Sequence, residues 1–136
     1  MKYIKITLGI FTLALIFSVF NINASTIRTV IVTIPAFSQP STLTKEFKYT
    51  ESYQYIKKTK CVDNSSGDGR VIIANLHLTT DNANPNYDPS PVEAAPNTNV
   101  RFDNYSKQMG SWNLSLRSNK WLLTTASFEG QWTVDE

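Results

Sequence analysis

The sequence predicts an all-β protein, a small antiparallel β-sandwich or barrel-like fold of about six to eight strands. Three observations carry this. Several short runs are rich in β-branched and aromatic residues, with turn-forming clusters between them. Within the runs, apolar and polar residues alternate, the period of a strand with one face buried and one in water. After residue 24 no segment has a helical period.

In order along the chain, residues 26–34, TIRTVIVTI, are dense in β-branched side chains, which fit a pleated surface and resist a helix. Pro35 and Pro40 bracket a loop. In residues 44–62, TKEFKYTESYQYIKKTKCV, Phe47, Tyr49, Tyr53 and Tyr55 share the odd phase, and Glu51 and Ser52 divide the run into two strands. Residues 63–69, DNSSGDG, are a concentrated turn signal. The run RVIIANLHLT at 70–79 is a further strand, too apolar for an exposed edge. Residues 81–99, with four prolines and five asparagines, predict a long loop that supports neither ladder hydrogen bonds nor a helix. Val100 to Phe102 is a short strand. SWNLSLR at 111–117, the turn Ser118-Asn119-Lys120 and the run 121–134 read as a β-hairpin. In that last run Phe128, Gly130 and Trp132 share one side, where Gly130 leaves room for an aromatic ring to lie across the backbone or marks a bulge.

The first 24 residues, MKYIKITLGIFTLALIFSVFNINA, read as a secretory signal peptide: Lys2 and Lys5 precede an apolar run of about 15 residues, and Ala24 suits cleavage. That run is short of the roughly 18–20 residues a membrane-spanning helix prefers. The expectation is a secreted, extracellular bacterial protein that begins at Ser25, its residues 25–136 forming a single domain. The 13 Lys and Arg stand against 11 Asp and Glu, and loss of Lys2 and Lys5 leaves 11 against 11. A neutral domain gives no electrostatic case for nucleic acid or an anionic membrane. The predicted partners are a cell-surface component or a co-exported peptide, with membrane contact only through an uncleaved N-terminal segment. Lys57, Lys58 and Lys60, the one basic cluster, read as a solvated strand edge.

Cys61 is the only cysteine, so no intramolecular disulfide can form; the thiol is either a small buried residue or an intermolecular link. His77 is the only histidine, flanked by leucines in a strand, and reads as a strand-surface residue rather than a catalytic base. One His and one Cys make no zinc site. The 63–69 turn lacks the acidic third position and closing Glu of a calcium loop. No catalytic, cofactor-binding or metal-binding residue is assigned, and the chain reads as non-enzymatic. Tyr49, Tyr53 and Tyr55 are the candidate ligand-stacking row, and the alternative use of such aromatics is structural.

Three segments, Tyr53 to Thr59 with its Tyr-x-Tyr, Asn99-Val-Arg-Phe102, and the ending Ser127-Phe-Glu-Gly-Gln-Trp-Thr-Val-Asp-Glu136, resemble a family of small secreted proteins of unknown function from low-GC Gram-positive bacteria. The resemblance implies a setting near bacteriocin transport and immunity genes. The resulting expectation is a secreted, non-catalytic, bacteriocin-associated protein without cofactor; the alternative is a glycan- or cell-wall-binding β-sandwich module.

Overall fold

The computed structural model describes residues 25–79 and 87–136. The predicted signal peptide, 1–24, and the first part of the Pro/Asn-rich segment lie outside the described residues. Eight strands form two antiparallel sheets: β1 (Thr26–Ile34), β2 (Thr44–Lys48), β3 (Tyr55–Asp63), β4 (Ile72–Leu78), β5 (Val92–Glu93), β6 (Val100–Arg101), β7 (Gly110–Ser118) and β8 (Ala126–Asp135). One sheet has the order β1-β8-β3-β6 and the other β2-β7-β4-β5. The pairs β1:β8, β2:β7, β3:β6 and β4:β5 are those of one long antiparallel ribbon, wound so that successive pairs fall in alternate sheets. This is the connectivity of a jelly roll, within the predicted β-sandwich class.

Inward-pointing residues of both sheets fill the core. Val30 and Ile34 of β1, Ile56 and Cys61 of β3, and Phe128, Trp132 and Val134 of β8 face Ile72, Ala74, Leu76 and Leu78 of β4 and Trp112, Leu114 and Leu116 of β7. The alternation read at Trp112, Leu114 and Leu116 and the shared side of Phe128 and Trp132 are the inward positions of β7 and β8, because strands buried on one face repeat every second residue. Two of the four edge strands, β5 and β6, are short, with two residues each, whereas the edge strands β1 and β2 have nine and five.

Four expectations need correction. The predicted hairpin does not form: β7 pairs with β2 and β4, whereas β8 pairs with β1 and β3. The connection is longer than a hairpin turn, and it crosses from one sheet to the other. In 81–99, the described part is not all loop. Val92–Glu93 pairs with β4, the Ala94 N–H donates to the Ile72 carbonyl at 2.9 Å, and Asn97 N–H donates to the Lys58 carbonyl at 2.8 Å. The prolines at 89, 91 and 96 flank these donors without replacing them, and a short edge strand tolerates them there. The alternation in 44–62 is present, but the buried residues are Lys48, Gln54, Ile56 and Cys61, and the odd-phase aromatics Phe47, Tyr49, Tyr53 and Tyr55 are not buried. Finally, Lys57, Lys58 and Lys60 are not on a free edge. β3 lies between β8 and β6, residues 95–97 cover its outer side, and Lys58 Nζ donates to the Arg70 carbonyl at 3.1 Å.

Candidate functional site

The outward face of the β2-β7-β4-β5 sheet gathers a polar surface with an aromatic corner. Strand register places Phe47 opposite Ser111, and Lys45 opposite Asn113, which in turn lies opposite His77. Next to Ser111, Thr79 donates its N–H to the Ser111 carbonyl at 2.7 Å. A shallow trough of about 450 Å3 runs here, lined by residues 45–47 and 111–113 and by Thr79. Phe47 is exposed and packs against Tyr49, ring centroids 4.7 Å apart and planes tilted by 52°. Tyr49 is 71% exposed, and its backbone N–H is anchored on the Asp135 carboxylate. Glu46 is held by Arg28 at 2.9 Å. His77 lies on the surface, as expected, with Nδ1 2.5 Å from Asp88 Oδ2; the other Asp88 oxygen accepts from Leu78 N–H at 3.2 Å.

The expected tyrosine row is divided. Tyr49 stands beside the trough, but the segment 49–54 carries the chain into the other sheet, so Tyr53 and Tyr55 face a different surface. Residues of equal parity share a face only within one strand. Tyr53 is already engaged: its hydroxyl donates to Asn104 Oδ1 at 2.5 Å, and the Arg101 guanidinium lies 4.4 Å from its ring centroid. Burial and the Glu136 carboxylate push the Tyr55 hydroxyl up, against the pull of Arg101. Of the two readings of Cys61, the structure shows the buried one. The thiol faces the core, 5% exposed, and burial pushes its pKa up although Lys58 and Arg70 oppose that, so the intermolecular link is corrected.

Two buried polar clusters escaped the sequence reading, since each residue looked like an ordinary outward charge. At one end of the sandwich, the fully buried Lys48 donates from Nζ to the Val134 carbonyl at 2.6 Å and to Ser52 Oγ at 3.0 Å, with Asp135 Oδ1 at 3.4 Å. Burial lowers the Lys48 pKa despite Asp135. Burial works against the Asp135 charge, but the Thr50 hydroxyl, the Tyr49 and Thr50 N–H groups and Lys48 outweigh it and lower its pKa. At the other end, Arg70 binds Asp63 and donates to the Thr124 carbonyl at 2.9 Å, and the Thr124 hydroxyl also bonds to Asp63. The second Asp63 oxygen accepts the Ser65 and Ser66 N–H groups at 2.7 and 3.0 Å, closing the predicted turn. Those bonds, the Thr124 hydroxyl first, hold Asp63 well below the usual carboxylate range. The Asp63 carboxylate of this turn is thus committed to Arg70 rather than displayed to a cation, and Asp68 is left exposed.

Comparisons with protein-family models, with curated proteins and with solved structures find no match to this chain. The three segments that carry the family resemblance prove to be neighbours, on β3, β6 and β8 of one sheet. Their best-connected residues do structural work. Trp132 Nε1 donates to Gln54 Oε1 at 3.0 Å, and Gln54 Nε2 donates to the Ser106 carbonyl at 2.9 Å, all inside the core.

Proposed function

We propose that the protein is a secreted, non-catalytic binding module that takes carbohydrate of the cell surface in the trough on the β2-β7-β4-β5 sheet. The observation that carries this reading is the exposed Phe47–Tyr49 corner beside Lys45, Ser111, Asn113 and Thr79 on one rigid face. A sugar ring has an apolar face and a rim of hydroxyls, so it suits an aromatic ring flanked by amide, hydroxyl and ammonium groups. The trough falls within the usual range for small-ligand sites, about 300–1,000 Å3. Its openness to solvent fits a chain end or a surface polymer rather than an enclosed metabolite. The N-terminal segment supports action outside the cell, and the wider bacteriocin setting draws on the resemblance alone.

Calorimetric titration with peptidoglycan fragments and a panel of polysaccharides tests this. The wild type is expected to bind at least one, with Phe47→Ala and Asn113→Ala each weakening it about tenfold, a loss of ~1.4 kcal/mol. Absence of binding across the panel, or equal binding by Phe47→Ala, sinks the reading.

A further inference from the structure

The Lys48–Asp135 cluster holds an amine and a carboxyl group together away from water. Lys48 ends β2 and Asp135 ends β8, 87 residues apart in sequence, yet Nζ lies 3.4 Å from Oδ1. The Lys48 side chain is 0% exposed and that of Asp135 5%. A nucleophile fixed beside an acyl group at this range, about 3–3.5 Å, is set up as a near-attack pair.

The hydroxyl groups around the pair complete a proton path. Lys48 Nζ donates to Ser52 Oγ at 3.0 Å, the Ser52 and Thr50 hydroxyls are 2.8 Å apart, and the Thr50 hydroxyl donates to Asp135 Oδ1 at 2.7 Å. Through this ring a proton passes from the ammonium to the carboxylate without entering solvent, leaving a neutral amine and a neutral acid. Burial already lowers the Lys48 pKa. A second N–H of the amine stays on the Val134 carbonyl at 2.6 Å, which frees the nitrogen lone pair for Cγ. The Tyr49 N–H lies 3.2 Å from Oδ2, the oxygen on which negative charge collects during attack. Hydrogen bonds favour the ionised Asp135, so the neutral pair is a minor form and the step is slow.

We propose that Lys48 and Asp135 join in an intramolecular amide, a covalent tie between β2 and β8. The Nζ–Cγ bond forms, the Cγ–Oδ1 bond breaks, and Oδ1 leaves as water with two protons from the ammonium. Nothing is oxidised or reduced, and no co-reactant is required. The ion pair described above is the state before the bond. In the product the amide N–H keeps the Val134 carbonyl and the amide oxygen keeps the Tyr49 N–H. Both polar groups stay satisfied while two buried charges disappear. The tie supplies what a small exported domain ordinarily draws from disulfides, which the single Cys61 cannot form within the chain. It does not rest on the reading of the trough.

Intact mass of the full chain, followed with time after purification, tests this. The wild type is expected to lose the mass of one water. Digestion should then release a branched peptide that joins the segments around Lys48 and Asp135, with trypsin passing over Lys48. Lys48→Met and Asp135→Ala are expected to keep their full mass. Ser52→Ala and Thr50→Val retain both reacting groups but cut the relay, and each should slow the loss of water about a hundredfold. A wild-type mass that never falls would overturn the proposal, whatever the variants do. So would a dehydrated chain whose two segments separate on digestion, loss of water by Lys48→Met, or relay variants that link as fast as the wild type.

Discussion

Gly130 shows how a single atom constrains this fold. A Cβ there would collide with the Lys57 carbonyl oxygen and sit 2.7 Å from the Phe128 ring, and β3 bulges opposite, between Lys58 and Lys60. Both sequence readings of this glycine, room for a ring and a bulge, hold together. Gly130→Ala is expected to cost about 1–3 kcal/mol through overpacking, read from chemical denaturation. The Lys48–Asp135 pair gives an asymmetric expectation. Asp135→Ala leaves a buried ammonium uncompensated and should cost about 3–5 kcal/mol, whereas Lys48→Met should cost clearly less, because it removes the charge that has to be compensated. Equal losses would mean that the pair is not buried as described. Cys61 should resist thiol reagents in the folded protein and react on unfolding; rapid labelling of the native state would contradict its burial.

At the level of elements, the two carboxylate clusters tie loops to strands, and both respond to acid. Folding lowers the pKa of Asp63 and Asp135, so the unfolded chain takes up protons more readily. The stability they add is present in full above the ordinary carboxylate values of about 4 and is lost as pH falls through the lower folded values. The acid-unfolding midpoint should therefore lie below that range, and Asp63→Asn with Asp135→Asn should flatten the acid limb of a stability-against-pH curve. An unchanged limb in the double variant would remove these clusters as its source. Strand segments, the 63–69 turn and the surface position of His77 were legible in the sequence because each is set by local chemistry: side-chain branching, glycine and Asx turns, and flanking residues. The hairpin reading of 111–134 failed because two adjacent strands and a polar turn have the same local signature whether the strands pair or cross between sheets. The division of Tyr49 from Tyr53 and Tyr55 has the same origin.

For the molecule as a whole, β1 pairs with β8, and Ser25 Oγ donates to the Asp135 carbonyl at 2.9 Å, so the two ends of the domain close its fold together. Removal of residues 133–136 strips Val134 from the core and Asp135 from Lys48, and should abolish cooperative thermal unfolding as followed by near-UV circular dichroism. A cooperative transition in the truncated protein would show that the ribbon closes without them. By itself the sequence determined the all-β class, the location of most strands, the shared inward face of Trp112, Leu114 and Leu116 and of Phe128 and Trp132, and the room or bulge that Gly130 marks. It did so because strand period and turn chemistry are short-range properties. Only the tertiary structure decided which sheet each strand joins and that Lys48 and Arg70 point inward. It also brought Phe47 beside Asn113, and Phe37 beside Trp121. Those outcomes follow from winding a ribbon whose partners are far apart in sequence, where the energy of non-local pairing outweighs what any local pattern records.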